Sequence, residues 1–118
     1  MSDMTPVMDE HGDISLHGRS DLDLPVSFFL RDRDTGETTQ EDCSRAKLFL
    51  EVTPGGVRRP LALDPQNPLG RRMQLTTADV TKIKKAATAS IEYCVRDETG
   101  EFAFVRLEGK IRIKGFAR

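Results

Sequence analysis

The last third of the chain constrains the fold most, because apolar and polar side chains alternate there on both sides of a short turn. The turn lies at residues 97–100 and ends in Gly100. A period of two is typical of strands with one buried face, and two such runs around a glycine turn predict a β-hairpin. The apolar positions of the two runs are Ala89, Ile91, Tyr93, Val95, Val105, Leu107, Ile111 and Ile113.

Alternating runs in the first two thirds of the chain predict further strands. Pro25 and Pro60 fall within two of these runs and lack the N–H that an inner strand needs. Pro60 predicts an edge position, and Pro25 predicts an edge position, a bulge or a strand that starts nearby. The Gly55-Gly56 connection predicts that the runs on either side of it pair as a hairpin. The apolar positions are Ile14 and Leu16, then Leu22, Leu24, Val26, Phe28 and Leu30, then Ala46, Leu48, Leu50 and Val52, and finally Met73 and Leu75; residues 57–63 form a further run before Met73.

Two local features interrupt this β pattern. Residues 77–85 show helical spacing, with Thr77 as the N-cap and Val80 and Ile83 on one face, so one or two helical turns are predicted there. Gly109 lies at the same parity as the apolar residues of its strand. We therefore expect a kink, a bulge or the close approach of another backbone at the inner face of the sheet.

The strand pattern predicts an all-β fold. About seven short strands, regularly spaced turns and one short helical crossover favour an immunoglobulin-like antiparallel β-sandwich. The length of 118 residues fits one domain with one core. We expect residues 13–118 to form this domain and residues 1–12, which mix Ser, Thr, Pro and acids without periodicity, to form a flexible N-terminal arm.

Charge and hydropathy exclude several classes of function. The chain has 18 basic and 19 acidic residues and a formal charge of -1, so no strong field of one sign attracts nucleic acid or a membrane surface. No apolar run approaches the roughly 20 residues that a membrane span needs. The beginning of the sequence lacks the basic and apolar regions of a signal peptide. We expect synthesis in the cytoplasm and no membrane or nucleic-acid partner.

Cys43 and Cys94 are too few to define a disulfide framework or a zinc site, so we interpret them as free thiols. Cys43 is predicted at the start of a strand. Cys94 has the opposite parity to the apolar residues of its strand and is predicted to face outward or toward a neighbouring subunit. A disulfide between subunits stays an open alternative.

The candidates for chemistry each have a simpler structural interpretation. His11 and His17, with Asp9 and Asp13, could bind a metal, but a flexible solvated N-terminal segment explains them more simply. The acidic pairs at 41–42 and 97–98 are interpreted as solvated turns. The basic residues Arg58, Arg59, Arg71, Arg72, Lys82, Lys84 and Lys85 are interpreted as a solvated or intersubunit charged face. We predict no catalytic residue, no metal site, no cofactor, no small-molecule substrate and no enzymatic activity.

Several phenylalanines lie off the core parity of their strands and are candidates for an interface. Phe29 and Phe49 point opposite to the apolar face, and Phe102 and Phe104 oppose Val105. Outward rings on a sandwich favour contact with another protein. Phe116 is a further candidate, either as a docking residue or as the last core residue. The alternative is a bulge near Phe29 or Ala103 that reverses the parity.

The order of these features resembles the immunoglobulin-like domain at the N-terminus of baseplate upper proteins of tailed bacteriophages. The resemblance covers residues 14–116 and lies in short motifs. They are the strand Asp21-Leu22-Asp23-Leu24-Pro25-Val26-Ser27-Phe28, the turn Asp34-Thr35-Gly36, the helical segment 77–85, the strand Ser90-Ile91-Glu92-Tyr93-Cys94-Val95, the turn 97–100 and the strand Leu107-Glu108-Gly109-Lys110-Ile111-Arg112-Ile113.

The resemblance implies a structural role in a virion. It predicts an adaptor that attaches tail, baseplate or fibre parts through contacts with other virion proteins and with copies of itself. The larger members of the family continue into coiled coil and receptor-binding parts that this sequence lacks, so direct host recognition is not implied. A capsid decoration protein and a free carbohydrate- or peptide-binding module are the alternatives. The binding module would need aromatic platforms in the loops, which we predict to carry no aromatic residue.

Overall fold

A computed structural model describes residues 7–8, 11–17 and 21–114. Within these residues the chain forms eleven strands and one helix. The strands are β1 (Val7–Met8), β2 (Ile14–His17), β3 (Leu22–Val26), β4 (Phe29–Arg31), β5 (Thr38–Gln40), β6 (Leu48–Thr53), β7 (Val57–Pro60), β8 (Ala62–Leu63), β9 (Arg71–Leu75), β10 (Ile91–Asp97) and β11 (Phe104–Lys114), and the helix is α1 (Thr77–Ala86).

Two sheets form a sandwich, which confirms the predicted all-β, immunoglobulin-like fold with one short helix. The large sheet has the order β1-β2-β11-β10-β6-β7, and the small sheet has the order β3-β9-β8. All pairs are antiparallel except β2 and β11, which run parallel. Placing β6, β10 and β11 in one sheet and β3, β8 and β9 in the other matches the strand partition of immunoglobulin domains. The strands β4 and β5 form a separate hairpin.

The core lies between the two sheets and receives side chains from both of them and from α1. The alternation of the sequence predicted most of these positions. In the structure, buried and exposed residues alternate along β3, and every second residue of β6 and of β10 is buried. The buried cluster consists of Ile14, Leu16, Leu22, Leu24, Val26, Cys43, Leu48, Leu50, Val52, Val57, Leu61, Met73, Leu75, Val80, Ile83, Ile91, Tyr93, Val95 and Ile111.

Three positions that the alternation assigned to the core are exposed. Ala89 precedes β10 and is exposed. Leu30 belongs to β4, which has left the sandwich, so it is 58% exposed. Val105 is 44% exposed because the register of β10 and β11 shifts: Val95 pairs with Leu107, and the next residue, Arg96, pairs with Val105. One extra residue in β11 therefore reverses the parity of its first residues.

Both prolines that predicted edge positions lie on edge strands, which confirms that prediction. Pro25 lies in β3 at one edge of the small sheet, and Pro60 ends β7 at one edge of the large sheet. The predicted hairpin around Gly55-Gly56 forms between β6 and β7. The chain then leaves the large sheet, because β8 pairs with β9 in the small sheet.

The helix α1 begins one residue earlier than predicted, because Thr76 and not Thr77 is the N-cap. The Thr76 hydroxyl accepts a hydrogen bond from the Asp79 N–H, and the Asp79 carboxylate accepts one from the Thr76 N–H, which makes a capping box. Val80 and Ile83 are buried as predicted. Asp79 also accepts two hydrogen bonds from Arg59 on β7, at 2.6 and 2.9 Å, and this pairing lowers the pKa of Asp79.

The expected close approach at Gly109 is confirmed, and the approaching backbone is that of Gly12. A Cβ atom at Gly109 would lie 2.4 Å from the Gly12 carbonyl oxygen. The Tyr93 hydroxyl donates a hydrogen bond to the same carbonyl. Gly12 itself has a φ of 85°, a conformation that favours glycine, and its own Cβ would lie 2.8 Å from the Glu108 carbonyl oxygen. The segment before β2 is thus seated directly on the β10–β11 pair.

Most of the predicted flexible arm, residues 1–6 and 9–10, lies outside the described residues. The described part of it includes β1, which pairs antiparallel with β2. Phe116, the last of the predicted interface residues, also lies outside the described residues.

Replacing Gly109 by alanine tests the seating of the N-terminal segment on the sheet. We expect Gly109→Ala to lower the free energy of unfolding by about 1–3 kcal/mol, because the new methyl group overlaps the Gly12 carbonyl. Gly100→Ala is the matched control, since a Cβ at Gly100 has no neighbour within 4 Å. Denaturant unfolding of the two variants measures both effects, and equal stabilities would contradict the close approach.

Candidate interaction site at one end of the sandwich

One end of the sandwich gathers the β4–β5 hairpin, the connection 41–47 and the turn 98–103. The Glu98 N–H donates to the Lys47 carbonyl at 2.8 Å, and the Lys47 N–H donates to the Thr99 hydroxyl at 2.8 Å, so the turn and the connection are fastened together. The Glu41 N–H donates to the Phe28 carbonyl at 2.7 Å and closes the base of the hairpin. We call this region the distal end, because β1 and the last residues of β11 lie at the opposite end of the large sheet.

Large apolar side chains are exposed at the distal end on both the hairpin and the turn. An apolar side chain in water loses the free energy that burial would supply, about 25 cal/mol per Å². Exposed apolar groups that cluster in one region are typical of interaction sites. The exposed fractions are 60% for Phe29, 58% for Leu30, 80% for Phe102, 52% for Phe104 and 44% for Val105.

Arg106 lies on β11 and ties this strand to the base of the hairpin. Its guanidinium donates two hydrogen bonds to the Glu41 carboxylate, at 2.7 and 2.9 Å, and one to Asp97 at 3.1 Å. The guanidinium carbon lies 4.4 Å from the centre of the Phe28 ring and 5.7 Å from that of Phe104. A cation held between two rings and two carboxylates has few alternative positions, so Arg106 fixes the hairpin relative to the turn.

The charges of this network are stabilised in their ionised forms. The hydrogen bond from Arg106 lowers the pKa of Glu41. Burial alone would raise the pKa of Asp97, but hydrogen bonds from Thr99 and Arg106 outweigh the burial and lower it. The two carboxylates raise the pKa of Arg106 in turn. Since the side chains of Arg106 and Asp97 are only 16% and 8% exposed, this ion pair is shielded from solvent more than ordinary surface pairs are.

The tip of the hairpin is an ordered turn. The Asp32 carboxylate accepts hydrogen bonds from the N–H groups of Asp34 and Thr35, at 2.8 and 3.2 Å. The Asp32 carbonyl accepts from the Gly36 N–H, and the Asp32 N–H donates to the Glu37 carbonyl, both at 2.8 Å. Gly36 has a φ of 76°, which suits glycine. The hairpin therefore presents its exposed side chains from a defined backbone.

The structure brings three of the predicted interface residues to the distal end and separates a fourth from them. Phe29 lies on the hairpin, Phe102 on the turn and Phe104 at the start of β11. Phe104 pairs with the buried Asp97, so it shares the parity of the core and lies beyond the core's edge. Phe49 lies apart from them, half-buried on β6, with the guanidinium carbon of Arg58 at 4.0 Å from its ring centre. A role for these residues in an interface stays a prediction.

Sequence reasoning missed the residues that organise the distal end. The acidic pairs at 41–42 and 97–98 were expected to be solvated, and Asp42 is exposed, but Asp97 is 6% exposed and bound to Arg106. No signal in the sequence indicated this, because Arg106 lies at a polar position of the alternation and the register shift beside it depends on pairing with β10.

Arg71 organises the neighbouring connection, and this explains the position of Cys43. Its guanidinium donates to the carbonyl of Cys43 at 2.7 and 3.0 Å and to that of Ser44 at 2.8 Å. Cys43 is buried in this connection and begins no strand, so the prediction that it lies at the start of a strand is wrong. Cys94 lies on β10 at the outward parity that was predicted. Both cysteines are free thiols whose pKa values are raised by burial.

The described residues contain no cluster of side chains that would support metal binding by the histidines. His11 is exposed, and no group of three His, Cys, Asp or Glu side chains among the described residues could hold a metal ion. Within residues 7–8, 11–17 and 21–114, no helix is long and apolar enough to cross a membrane. No protein-family model and no curated protein sequence matches the chain.

Replacing Arg106 by methionine tests whether the network holds the distal end. We expect Arg106→Met to lower the free energy of unfolding by about 2–3 kcal/mol at pH 7, because it leaves the buried Asp97 without its counter-charge. Arg112→Met is the control, since Arg112 is 59% exposed and lies 3.5 Å from Asp13; its effect should stay within about 0.5 kcal/mol. Chemical denaturation followed by circular dichroism measures both.

The difference in stability between the unmodified protein and Arg106→Met is predicted to depend on pH. The pKa values of Glu41 and Asp97 are lower in the folded state than in the unfolded chain, where they lie near about 4. The contribution of these two groups to stability is therefore fully present at pH values above the unfolded pKa values. It is lost as the pH falls through the folded values. The stability difference between the unmodified protein and Arg106→Met should therefore be full at pH 7 and shrink below about pH 4. A difference that does not change with pH would contradict an ionic origin.

Proposed function

We propose that this protein is a non-enzymatic structural module of a tailed-phage virion, an adaptor that attaches tail, baseplate or fibre parts through contacts between proteins. The observation that carries the proposal is the distal end, where exposed aromatic and aliphatic side chains stand on a backbone that Arg106 and Asp32 fix in place. A rigid apolar surface loses little conformational entropy on docking, which favours binding to another protein. Such rings are also typical of the anchors that dominate binding energy at interfaces.

The charged groups of the structure support a structural role. Three carboxylates that pair with arginine, Glu41, Asp79 and Asp97, have lowered pKa values. A general acid or base works with a pKa near the working pH, and these carboxylates are instead kept ionised. Their arginine partners join β11 to the hairpin base and β7 to α1. These contacts hold elements of the fold together.

The virion setting is supported by the resemblance of the strand and turn motifs to baseplate domains of tailed phages. In such a particle the partners are other virion proteins and copies of this chain, which the virion carries after synthesis in the host cytoplasm. The immunoglobulin-like sandwich suits this use, since the loops at one end of the fold are free to contact a partner while the sheets stay intact. Attachment to the capsid surface, as a decoration protein, is the closest variant of the proposal.

A free carbohydrate- or peptide-binding module is the second candidate, and one observation favours it. The loops were predicted to contain no aromatic residue, but Phe102 lies in the turn 98–103 and is 80% exposed. That turn and the β4–β5 hairpin hold the position that the ligand-binding loops occupy in immunoglobulin variable domains. An exposed ring there could stack on a sugar or an apolar side chain.

Particle fractionation tests the proposal. The tagged chain would be produced during growth of the phage that encodes it, and particles would be separated from free protein on a density gradient. We expect the chain to sediment with the particles at a fixed copy number, and Phe102→Ser to shift it toward the free fraction, because the serine removes the largest exposed apolar group. Quantitative mass spectrometry of the fractions measures the copy number.

Two further variants serve as controls for the effect of Phe102→Ser. Phe102→Leu keeps an apolar side chain and should stay with the particles, and Phe49→Ser tests whether the outer face of the large sheet also contributes. A chain that remains entirely in the free fraction, with its β-type circular dichroism intact, would overturn the virion proposal and favour the binding module. Sedimentation with tail-less capsids alone would favour the decoration protein.

A further inference from the structure

The strand β4 is exposed on both of its faces, which is unusual for a strand rich in apolar residues. Successive residues of a strand point to opposite faces, so Phe29 and Leu30 lie on opposite sides of the hairpin. All three residues of β4 are exposed. An isolated two-stranded hairpin is marginally stable in water, and an exposed apolar strand is a template for pairing with another strand.

The hydrogen bonds of the hairpin show which backbone groups of β4 are free. Phe28 accepts a hydrogen bond from Glu41, and Asp32 donates one to Glu37, so both of these residues direct their groups toward β5. Backbone groups of alternate residues point to the same side in an antiparallel ladder. Leu30 therefore also bonds to β5, and the N–H and C=O groups of Phe29 and Arg31 point to the open edge. No hydrogen bond joins those four groups to any residue that the structure describes.

The other strand of the hairpin, β5, is tied to the sandwich at its Gln40 end. On β5, the Gln40 amide donates to the Ser27 hydroxyl and to the Asn67 side chain, both at 3.1 Å. Just beyond β5, the Cys43 N–H donates to the Leu69 carbonyl at 2.9 Å. The chain that continues from β5 is thus tied to the connection between β8 and β9. Among the described residues, the open edge of β4 makes no such hydrogen bond.

We propose that the open edge of β4 pairs with β4 of a second copy of this chain, antiparallel and around a two-fold axis at Leu30. Phe29 of each copy then forms a hydrogen-bonded pair with Arg31 of the other, which satisfies all the free backbone groups of both strands. Leu30 faces its own counterpart across the axis. The two hairpins become one four-stranded sheet with the order β5-β4-β4-β5.

The side chains of β4 are complementary to themselves in this arrangement, as a two-fold contact requires. On one face the Arg31 cation lies beside the Phe29 ring of the other copy, an attractive cross-strand pair. The two Arg31 cations lie on a diagonal, with a ring next to each. On the other face two Leu30 side chains meet. The strand carries no acidic residue that the two-fold axis would place against a like charge.

The pairing is predicted to be weak. A three-residue strand and two apolar side chains per copy cover less than the roughly 800 Å² per partner of a standard interface. We therefore expect dissociation in the micromolar range or above. The inference goes beyond the proposed function, because Phe102 and Phe104 lie on other segments and are left for a different partner. A chain that sediments with particles but does not self-associate would overturn only this inference.

Sedimentation equilibrium of the full chain, from roughly 1 µM to 1 mM, measures the self-association directly. Arg31→Pro removes one N–H from the open edge without removing a hydrogen bond of the hairpin. Thr38→Pro is the matched control, since Thr38 lies directly opposite Arg31 and its N–H points to the other edge. We expect at least a tenfold increase in the dimer dissociation constant for Arg31→Pro and a change of less than threefold for Thr38→Pro.

A cross-linking variant tests the position of the two-fold axis. Residues facing each other at a non-hydrogen-bonded pair have Cα atoms about 4.5 Å apart, within the range of a disulfide. In a Cys94→Ser background, Leu30→Cys should therefore form a disulfide-linked dimer under mild oxidation, whereas Thr38→Cys should not. A chain that is monomeric throughout the concentration range overturns the proposal. So does a dimer that Arg31→Pro leaves intact or that Leu30→Cys does not cross-link.

Discussion

One extra residue in β11 determines how the distal end is built. Without it, Arg106 would continue the alternation of the strand, and Val105 would face the core as the sequence pattern suggested. The insertion opposite Val95 and Arg96 instead turns Val105 outward and gives the guanidinium of Arg106 access to Glu41 and Asp97. The hairpin, the connection 41–47 and the turn 98–103 are all fixed through this network or through groups adjacent to it.

How far the sequence predicted the structure depends on how local each feature is. Alternation depends only on burial of one face, so β3, β6 and β10 were correct, and the edge positions of Pro25 and Pro60 follow from a missing N–H. Gly109 showed that a backbone would approach, though nothing in the sequence could name Gly12, 97 residues away, as its partner. The N-cap was misplaced by one residue because Thr76 and Thr77 are equivalent in type and only the Asp79 contact distinguishes them.

The candidate site was harder to predict because it depends on distant pairings. Phe29 and Phe49 were found because each has the opposite parity to the apolar residues of its own run, which is a local signal. Arg106 and Glu41 are 65 residues apart in the sequence, and no short-range pattern connects them. A bulge changes parity without changing composition, so the exposure of Val105 and the core parity of Phe104 became visible only in the register of β10 and β11.

The parallel pairing of β2 and β11 has a mechanical consequence. The chain enters β2 at Ile14, beside Ile111, and β11 leaves at Lys114, beside His17. Tension that pulls on the chain before β2 and after β11 slides the two strands past each other along their length. The evenly spaced hydrogen bonds of a parallel pair then share the load and break together, whereas a hairpin pulled open from one end breaks one bond at a time. A module built in this way resists stretching along the large sheet more strongly than its thermodynamic stability alone would indicate.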